Sequence, residues 1–341
     1  MKIFFKKQIR FVAATFGPHQ WPVRQSKLLI LAYHRILPVS DPRYAYEQPT
    51  MVVTPESFEK NIQWVSRFFS FVSLSSWLNA CKAGRPLPGK SCAITFDDGW
   101  IDNAEFALPI LKKYEVPATI YCVSGMLRGP GNYWPGRLIT LIRVINRSID
   151  LKTAIYQHEA LCWLNKACKH LSIEWGNLGV REYDQIVEAM KCYTDQEVLD
   201  FISETKSALS LLYEAPRQIL NGNELKELLA TGLIDIGSHT AKHTRLTQKT
   251  SPSNLRAEIH QSKIELEEEL EASVETFCYP NGYHPPIAVE EVKRSSYLAA
   301  CTLEKGWNNC NSDFSKLRRV SLHEAVASNE THFLSRLSGW I

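Results

Sequence analysis

Apolar residues along this chain recur in two patterns. An unbroken apolar run, of the kind that fills a strand buried on both faces, occupies residues 28–33, and shorter strand-like runs rich in apolar residues recur at 92–96, 117–123, 233–236, 276–279, 298–303 and 317–322. Between them the apolar positions fall at helical spacing. Thr54-Pro55 opens one such helix, with threonine as N-cap and proline in the first turn. Phe58, Ile62, Trp64, Val65 and Phe68 give that helix its apolar face. Ala104, Ala107, Leu108 and Leu111 mark a second helix, and residues 254–271 a third, whose acidic run at 267–269 reads as a solvated face. Alternating strands and helices predict a parallel sheet covered by helices. The expected fold is α/β, an irregular (β/α)7–8 barrel. Residues 133–218 break the alternation and read as helices only, for example over 151–171 and 195–212, so a helical insertion or lid is expected there. The expected organisation is a basic and apolar segment over 1–27, then a barrel over 28–341 interrupted by that insertion.

Composition changes this picture little. With 45% apolar residues the chain can bury one large core or two modest ones. Lys plus Arg number 39 against 36 Asp plus Glu, a balance that gives no reason to expect nucleic acid as a partner. Lys2, Lys6, Lys7 and Arg10 alternate with Ile3, Phe4, Phe5, Ile9, Phe11 and Val12. The apolar stretch after Arg10 is too short for a secretory signal, and no run reaches the roughly 18 residues of a membrane span. Two readings stand: a terminal helix packed on the domain, or a basic amphipathic anchor giving peripheral membrane contact. Nine cysteines lie mostly in apolar contexts, with no CxxC pair, and read as reduced core residues of a cytoplasmic protein. The oligomeric state is left open.

Two constellations carry chemistry. Thr95-Phe96-Asp97-Asp98-Gly99 places adjacent carboxylates at the end of a buried strand. One such acid can act as base while its neighbour ligates a metal; the bland alternative is a helix-capping turn. Gly237-Ser238-His239-Thr240-Ala241-Lys242-His243 places two histidines four apart after another strand. On a helical turn their imidazoles would meet on one face, a common way to hold a divalent metal; the alternative is a pair of surface or capping histidines. Together the motifs supply two imidazoles and one carboxylate, which leaves coordination positions for water and substrate.

With these residues the chain resembles the polysaccharide deacetylases, the NodB-homology or family-four carbohydrate esterases. Residues 30–35 (Ile-Leu-Ala-Tyr-His-Arg) look like that family's opening strand, residues 93–99 like its acid motif continued by Pro117-Ala118-Thr119, residues 236–243 like its metal-histidine motif, and Phe277-Cys278-Tyr279-Pro280-Asn281-Gly282 like its Phe-Ala-Tyr-Pro-Asn-Gly segment. The resemblance implies a metal-dependent hydrolase that removes acetyl groups from a carbohydrate, by N-deacetylation of an amino sugar. It implies Asp97 as general base and Asp98, His239 and His243 as ligands to a divalent metal, usually zinc. Tyr279, Pro280 and Asn281 would form a substrate-binding rim, and His323 would be the general acid. His34, at the end of the first strand, is read as a substrate contact or a core histidine.

One position departs from the pattern. Many members carry arginine where this chain has Cys278, and there it orients the base. Arg319 is the expected substitute, because strand alternation puts Arg319, Ser321 and His323 on one face. Two other readings are carried: a catalytically degenerate polysaccharide-binding barrel, and a metal-independent hydrolase of small cyclic amides.

Overall fold

Every one of those apolar runs becomes a strand in the computed structural model, which describes residues 2–128, 131–213 and 215–340. In chain order the strands are β1 (Lys27–Tyr33), β2 (Arg35–Ile36), β3 (Val52–Val53), β4 (Ser70–Phe71), β5 (Lys90–Phe96), β6 (Ala118–Cys122), β7 (Ile234–Ser238), β8 (Thr276–Cys278), β9 (Ala299–Cys301) and β10 (Val320–Ser321). Seven form a parallel sheet in the order β10–β1–β5–β6–β7–β8–β9, with β4 added beside β5. A further parallel bridge joins Cys301 to Leu317. It ties the β9 edge to the segment entering β10, so the sheet curls until its edges meet. Helices follow most strands, among them Pro55–Ser66, capped by the Thr54 side chain as expected.

Strand alternation sorts the buried residues into two layers. Leu29, Leu31, Tyr33, Ile94, Phe96, Ile120 and Phe277 pack outward into the core beneath the helices. Leu28, Ile30, Ala93, Tyr121, Cys278, Cys301 and Leu317 form a second cluster in the barrel interior. Gly237 sits opposite Tyr121 in the β6–β7 register. A Cβ there would lie 2.4 Å from the Tyr121 ring, so only glycine leaves room for that interior side chain. Asp97 continues the inward row of Ala93 and Thr95.

Two compact units are present: Met1–Pro38, Pro49–Gly129 and Ile219–Ile341 form the barrel, and Val39–Gln48 with Pro130–Gln218 form the other. The second has its own core, in which helices Trp134–Ser148, Val180–Met190 and Asp195–Ala208 bury Leu138, Ile142, Ile186 and Val198. Residues 39–48, read from the sequence as part of the barrel, belong to this unit. Their Tyr46 ring receives the Arg143 guanidinium 3.5 Å from its centroid, and Gln48 donates to Asp184.

The cysteine reading needs correcting. Cys81 and Cys310 form a disulfide across 229 residues of sequence. Cys162 and Cys192 are exposed, while Cys92, Cys122, Cys168, Cys278 and Cys301 are buried thiols. Disulfides persist in oxidising compartments, so cysteine usage no longer supports a cytoplasmic placement.

Candidate metal and catalytic site

The polar motifs sit where the parallel strands end. The chain leaves β5 through a turn that requires left-handed backbone at Asp98 (φ 75°) and Gly99 (φ 70°). Glycine adopts this freely, whereas a non-glycine residue costs on the order of 1 kcal/mol or more. Beyond β7 the loop from His239 to His243 is not helical, contrary to the expectation from spacing. Thr240 (φ 70°) and His243 (φ 60°) are left-handed there, and this sharper path brings the two imidazole centroids to 5.0 Å. Such strain collects at functional sites, where surrounding contacts hold it.

Asp98 is the centre of the group. Its Oδ1 lies 3.4 Å from His239 Nε2 and 3.2 Å from His243 Nε2. His239 Nδ1–H donates to the Cys278 carbonyl at 2.8 Å, which leaves its Nε2 lone pair facing Asp98. Donor atoms from the three residues all lie within 4.8 Å of one another. Tetrahedral zinc bonds of about 2.1 Å place neighbouring ligand atoms about 3.4 Å apart, so this donor set fits a divalent cation. Asp97, His239 and Cys278 form a second grouping of donors. Its carboxylate and thiol, however, are already held by Arg319.

The other Asp98 oxygen accepts from Trp100 Nε1 at 3.0 Å. The Arg35 guanidinium lies 4.1 Å from the Trp100 ring centroid, and Asp102 binds Arg35 through Nε at 2.9 Å and Nη2 at 2.8 Å. Asp102 also accepts from the Ile36 N–H at 2.8 Å. This buried chain of contacts fixes Trp100, and Trp100 fixes the Asp98 carboxylate. The sequence assigned no role to Arg35, Trp100 or Asp102; Arg35 stood there only as the last residue of the opening-strand motif, and Trp100 and Asp102 only beside the Asp-Asp-Gly turn.

Asp97 faces inward. Arg319 Nη1 and Nη2 each donate to one of its oxygens at 2.7 Å, and Arg319 Nε donates to the Thr302 carbonyl at 2.9 Å. The β1–β10 register sets Arg319 level with Ile30, and the long side chain spans the remaining distance. Cys278 completes the group, with Sγ 3.6 Å from both Asp97 oxygens and 2.9 Å from Arg319 Nη2. Burial pushes the Asp97 carboxyl up, but the Arg319 charge and hydrogen bonds outweigh it, with His239 and His34 assisting, and hold it below its ordinary value. Burial likewise opposes the charge on Asp98, yet hydrogen bonds from His239 and His243 bring that carboxyl well below the usual range. Burial keeps the Cys278 thiol protonated despite Arg319.

His34 follows β1 and sets Nε2 4.0 Å from Asp97 Oδ2, with its side chain 21% exposed, so the ring stands between the base and solvent. Asn103 holds the His34 carbonyl at 2.9 Å. His323 is elsewhere. β10 ends at Ser321, and His323 already caps the helix Glu324–Ala327, so the alternation that would have carried it inward has stopped. Its ring lines a cavity with Arg10, His332 and Arg336 and makes no hydrogen bond to the Asp97–Asp98 group. The rim is also narrower than expected: Tyr279 is fully buried and donates to the Ser315 carbonyl at 3.0 Å, and Pro280 is buried. Only Asn281, exposed and left-handed at φ 54°, presents itself from that turn.

Fold and site together define a β/α-barrel protein with a two-histidine, one-carboxylate cluster at its strand ends. The sequence model of the polysaccharide deacetylases matches residues 84–170 and 194–300, more than half of the chain, and the chain belongs to that family. It is 31% identical over 117 residues to the poly-beta-1,6-N-acetyl-D-glucosamine N-deacetylase of Staphylococcus aureus, covering 32% of this chain and 40% of that protein. It is 23% identical over 273 residues to the protein of the same name in Escherichia coli, covering 78% of this chain and 33% of that one. The chain thus spans well under half the length of either relative. Among solved structures it is similar to the Streptococcus pyogenes deacetylase PplD in complex with acetate (TM-score 0.58, 19% identity, 93% of this chain and 99% of that one). It is also similar to IcaB from Ammonifex degensii (TM-score 0.54, 17% identity, 93% and 100%).

Proposed function

We propose that this protein is a metal-dependent hydrolase that removes acetyl groups from an N-acetylated amino-sugar polysaccharide. The observation that carries the reading is the convergence of Asp98, His239 and His243 beside a second carboxylate, Asp97, that Arg319 keeps ionised. The names of the two N-deacetylase relatives support an amide substrate over an ester.

Asp98, His239 and His243 would hold the divalent metal, zinc by its nitrogen and oxygen donors. When bound, such an ion polarises the acetyl carbonyl and acidifies water. Asp97 accepts the proton of the attacking water, and its lowered pKa keeps it ionised for that task near neutrality. Arg319 and Cys278 hold its two oxygens in one orientation. His34 takes the place foreseen for His323. It is the histidine beside the base that reaches solvent, and it protonates the departing amine as the carbon–nitrogen bond breaks. Acetate and the free amine are the products. The Asn281 N–H, on an exposed turn, is the candidate donor to the carbonyl oxygen.

Metal analysis combined with acetate release from acetylated oligosaccharides tests this. Asp98→Ala, His239→Ala and His243→Ala should each lose metal and activity. Asp97→Asn should retain metal and lose at least about a hundredfold in turnover. Full metal content in the first three variants, or near-normal turnover in the last, defeats the reading. Carbohydrate binding without acetate release would instead describe a binding barrel.

A further inference from the structure

Over residues 7–16 the helix Lys2–Phe16 is amphipathic in an inverted sense. Among these described side chains it buries the small Ala13 and Ala14 against the rest of the barrel unit, while Phe11 and Phe16 are each 60% exposed and Ile9 and Val12 are exposed too. Close approach explains the buried side. A Cβ on Gly17 would lie 2.7 Å from the Ser338 Cβ, so the helix end is drawn onto the C-terminal helix Glu330–Leu337 through small residues. It does not explain why large apolar side chains face water. Trp21 and Trp340 extend the apolar face, with rings in edge contact at 5.6 Å and both exposed.

The charge of the N-terminal segment is of one sign. The first 40 residues contain no Asp or Glu. Beside the helix lies a cavity of about 470 Å³ lined by Arg10, His323, His332 and Arg336, with no carboxylate in its wall. Arg10 Nη1 donates to His332 Nε2 at 3.0 Å. Arg336 has no ion-pair or hydrogen-bond partner among the described residues, and its charge adds to burial in disfavouring the charged forms of nearby Lys305 and His323. Two guanidiniums gathered around a cavity without a counter-ion form a seat for a phosphate. Exposed aromatic and aliphatic side chains on the same helix that supplies Arg10 to this seat match a bilayer interface, where apolar groups enter the acyl boundary and arginines meet headgroups. No helix is long and apolar enough to cross a membrane among the described residues, so contact would be peripheral.

We propose that the N-terminal helix, the Trp21–Trp340 pair and the Arg10–Arg336 cavity form a docking face for an anionic lipid surface, with one lipid phosphate seated in the cavity. The test is flotation of the full chain with vesicles of equal parts phosphatidylglycerol and phosphatidylcholine, against phosphatidylcholine alone. Binding is expected to the anionic vesicles only, and to weaken as salt rises. Arg10→Gln with Arg336→Gln should weaken it about thirtyfold, and Phe11→Ser with Phe16→Ser at least about tenfold. Acetate release should be unchanged in both double variants. If either fails to fold, the single changes Arg336→Gln, at a half-buried residue, and Trp340→Ser, at an exposed one, replace it. Equal binding to both vesicles, or to neither, overturns the proposal. So does stabilisation by inorganic phosphate without vesicle binding, which would mark a site for soluble phosphate. Self-association that Phe11→Ser with Phe16→Ser abolishes, in a chain that ignores vesicles, would show that a second copy covers the face.

Discussion

Both terminal nitrogens of Arg319 meet both oxygens of Asp97 at 2.7 Å, between residues 222 apart in sequence. The geometry is a two-pronged, buried ion pair, and it fixes both the orientation and the ionisation of one carboxylate. A base must be ionised to accept a proton, so its activity falls as pH drops through its pKa. Arg319→Ala removes the main influence holding that pKa down, and the acidic limb of the pH–rate profile should move to higher pH. Turnover should fall roughly ten- to a hundredfold with metal content unchanged, and stability should fall by about 3–5 kcal/mol because a buried charge loses its partner. Arg319→Lys, which keeps the charge and loses the fork, should shift the limb less. An unshifted limb with a lowered melting midpoint would reduce Arg319 to a structural role.

The two candidate acids can be separated directly. His34→Ala should lower turnover by about a hundredfold or more at unchanged metal content, since a positioned general acid contributes on that scale. His323→Ala should leave turnover near normal, because its ring lies in the cavity with Arg10 and Arg336. The reverse pattern would return the acid to His323.

His19 predicts acid sensitivity away from the site. It is fully buried, Nε2–H donates to the Ala14 carbonyl at 3.1 Å, and Phe68 packs edge-on at 5.0 Å. Burial pushes the imidazole below its ordinary value, and Lys90 and Arg67 push the same way against the Ala14 hydrogen bond. The unfolded chain therefore takes up a proton near pH 6.5 that the folded chain refuses. Stability is full above that pH and declines as pH falls toward the folded pKa, by about 1.4 kcal/mol for each unit of depression. His19→Gln should flatten the dependence of the melting midpoint on pH below about 6.5. An identical slope in the variant would remove His19 from the explanation.

The Cys81–Cys310 disulfide closes a loop across 229 residues. Cys81→Ser, or reduction of the native chain, should cost about 2–5 kcal/mol of stability without altering metal content. Thermal midpoints with and without reductant check this. A midpoint indifferent to reductant in the native chain but lowered in Cys81→Ser would mean that the bond is absent in solution.

Several features were legible in the sequence because their causes are local. Strands buried on both faces need predominantly apolar segments, so β1, β5, β6 and β7 announce themselves. Thr54-Pro55 caps and starts a helix through its own side chains. Asp97, Asp98 and His239 follow apolar strands directly, and the end of a parallel strand is where a side chain reaches a barrel mouth. The two-residue strands β3 and β4 carry no such pattern and went unread.

What the chain alone could not specify depends on backbone turns or on distant partners. Alternation holds only while a strand continues, so it carries Arg319 inward and fails for His323 two residues after β10 ends. The approach of His239 to His243 depends on left-handed residues at Thr240 and His243, not on helical spacing. Trp100 against Asp98, Arg35 with Asp102, Cys81 with Cys310, and Tyr46 within the helical unit all pair residues that only the closed fold brings together. Residue types and strand order thus determined which chemistry could be present. Tertiary structure decided which groups touch, because distance and burial, not sequence spacing, set whether a carboxylate is ionised, held or left to ligate.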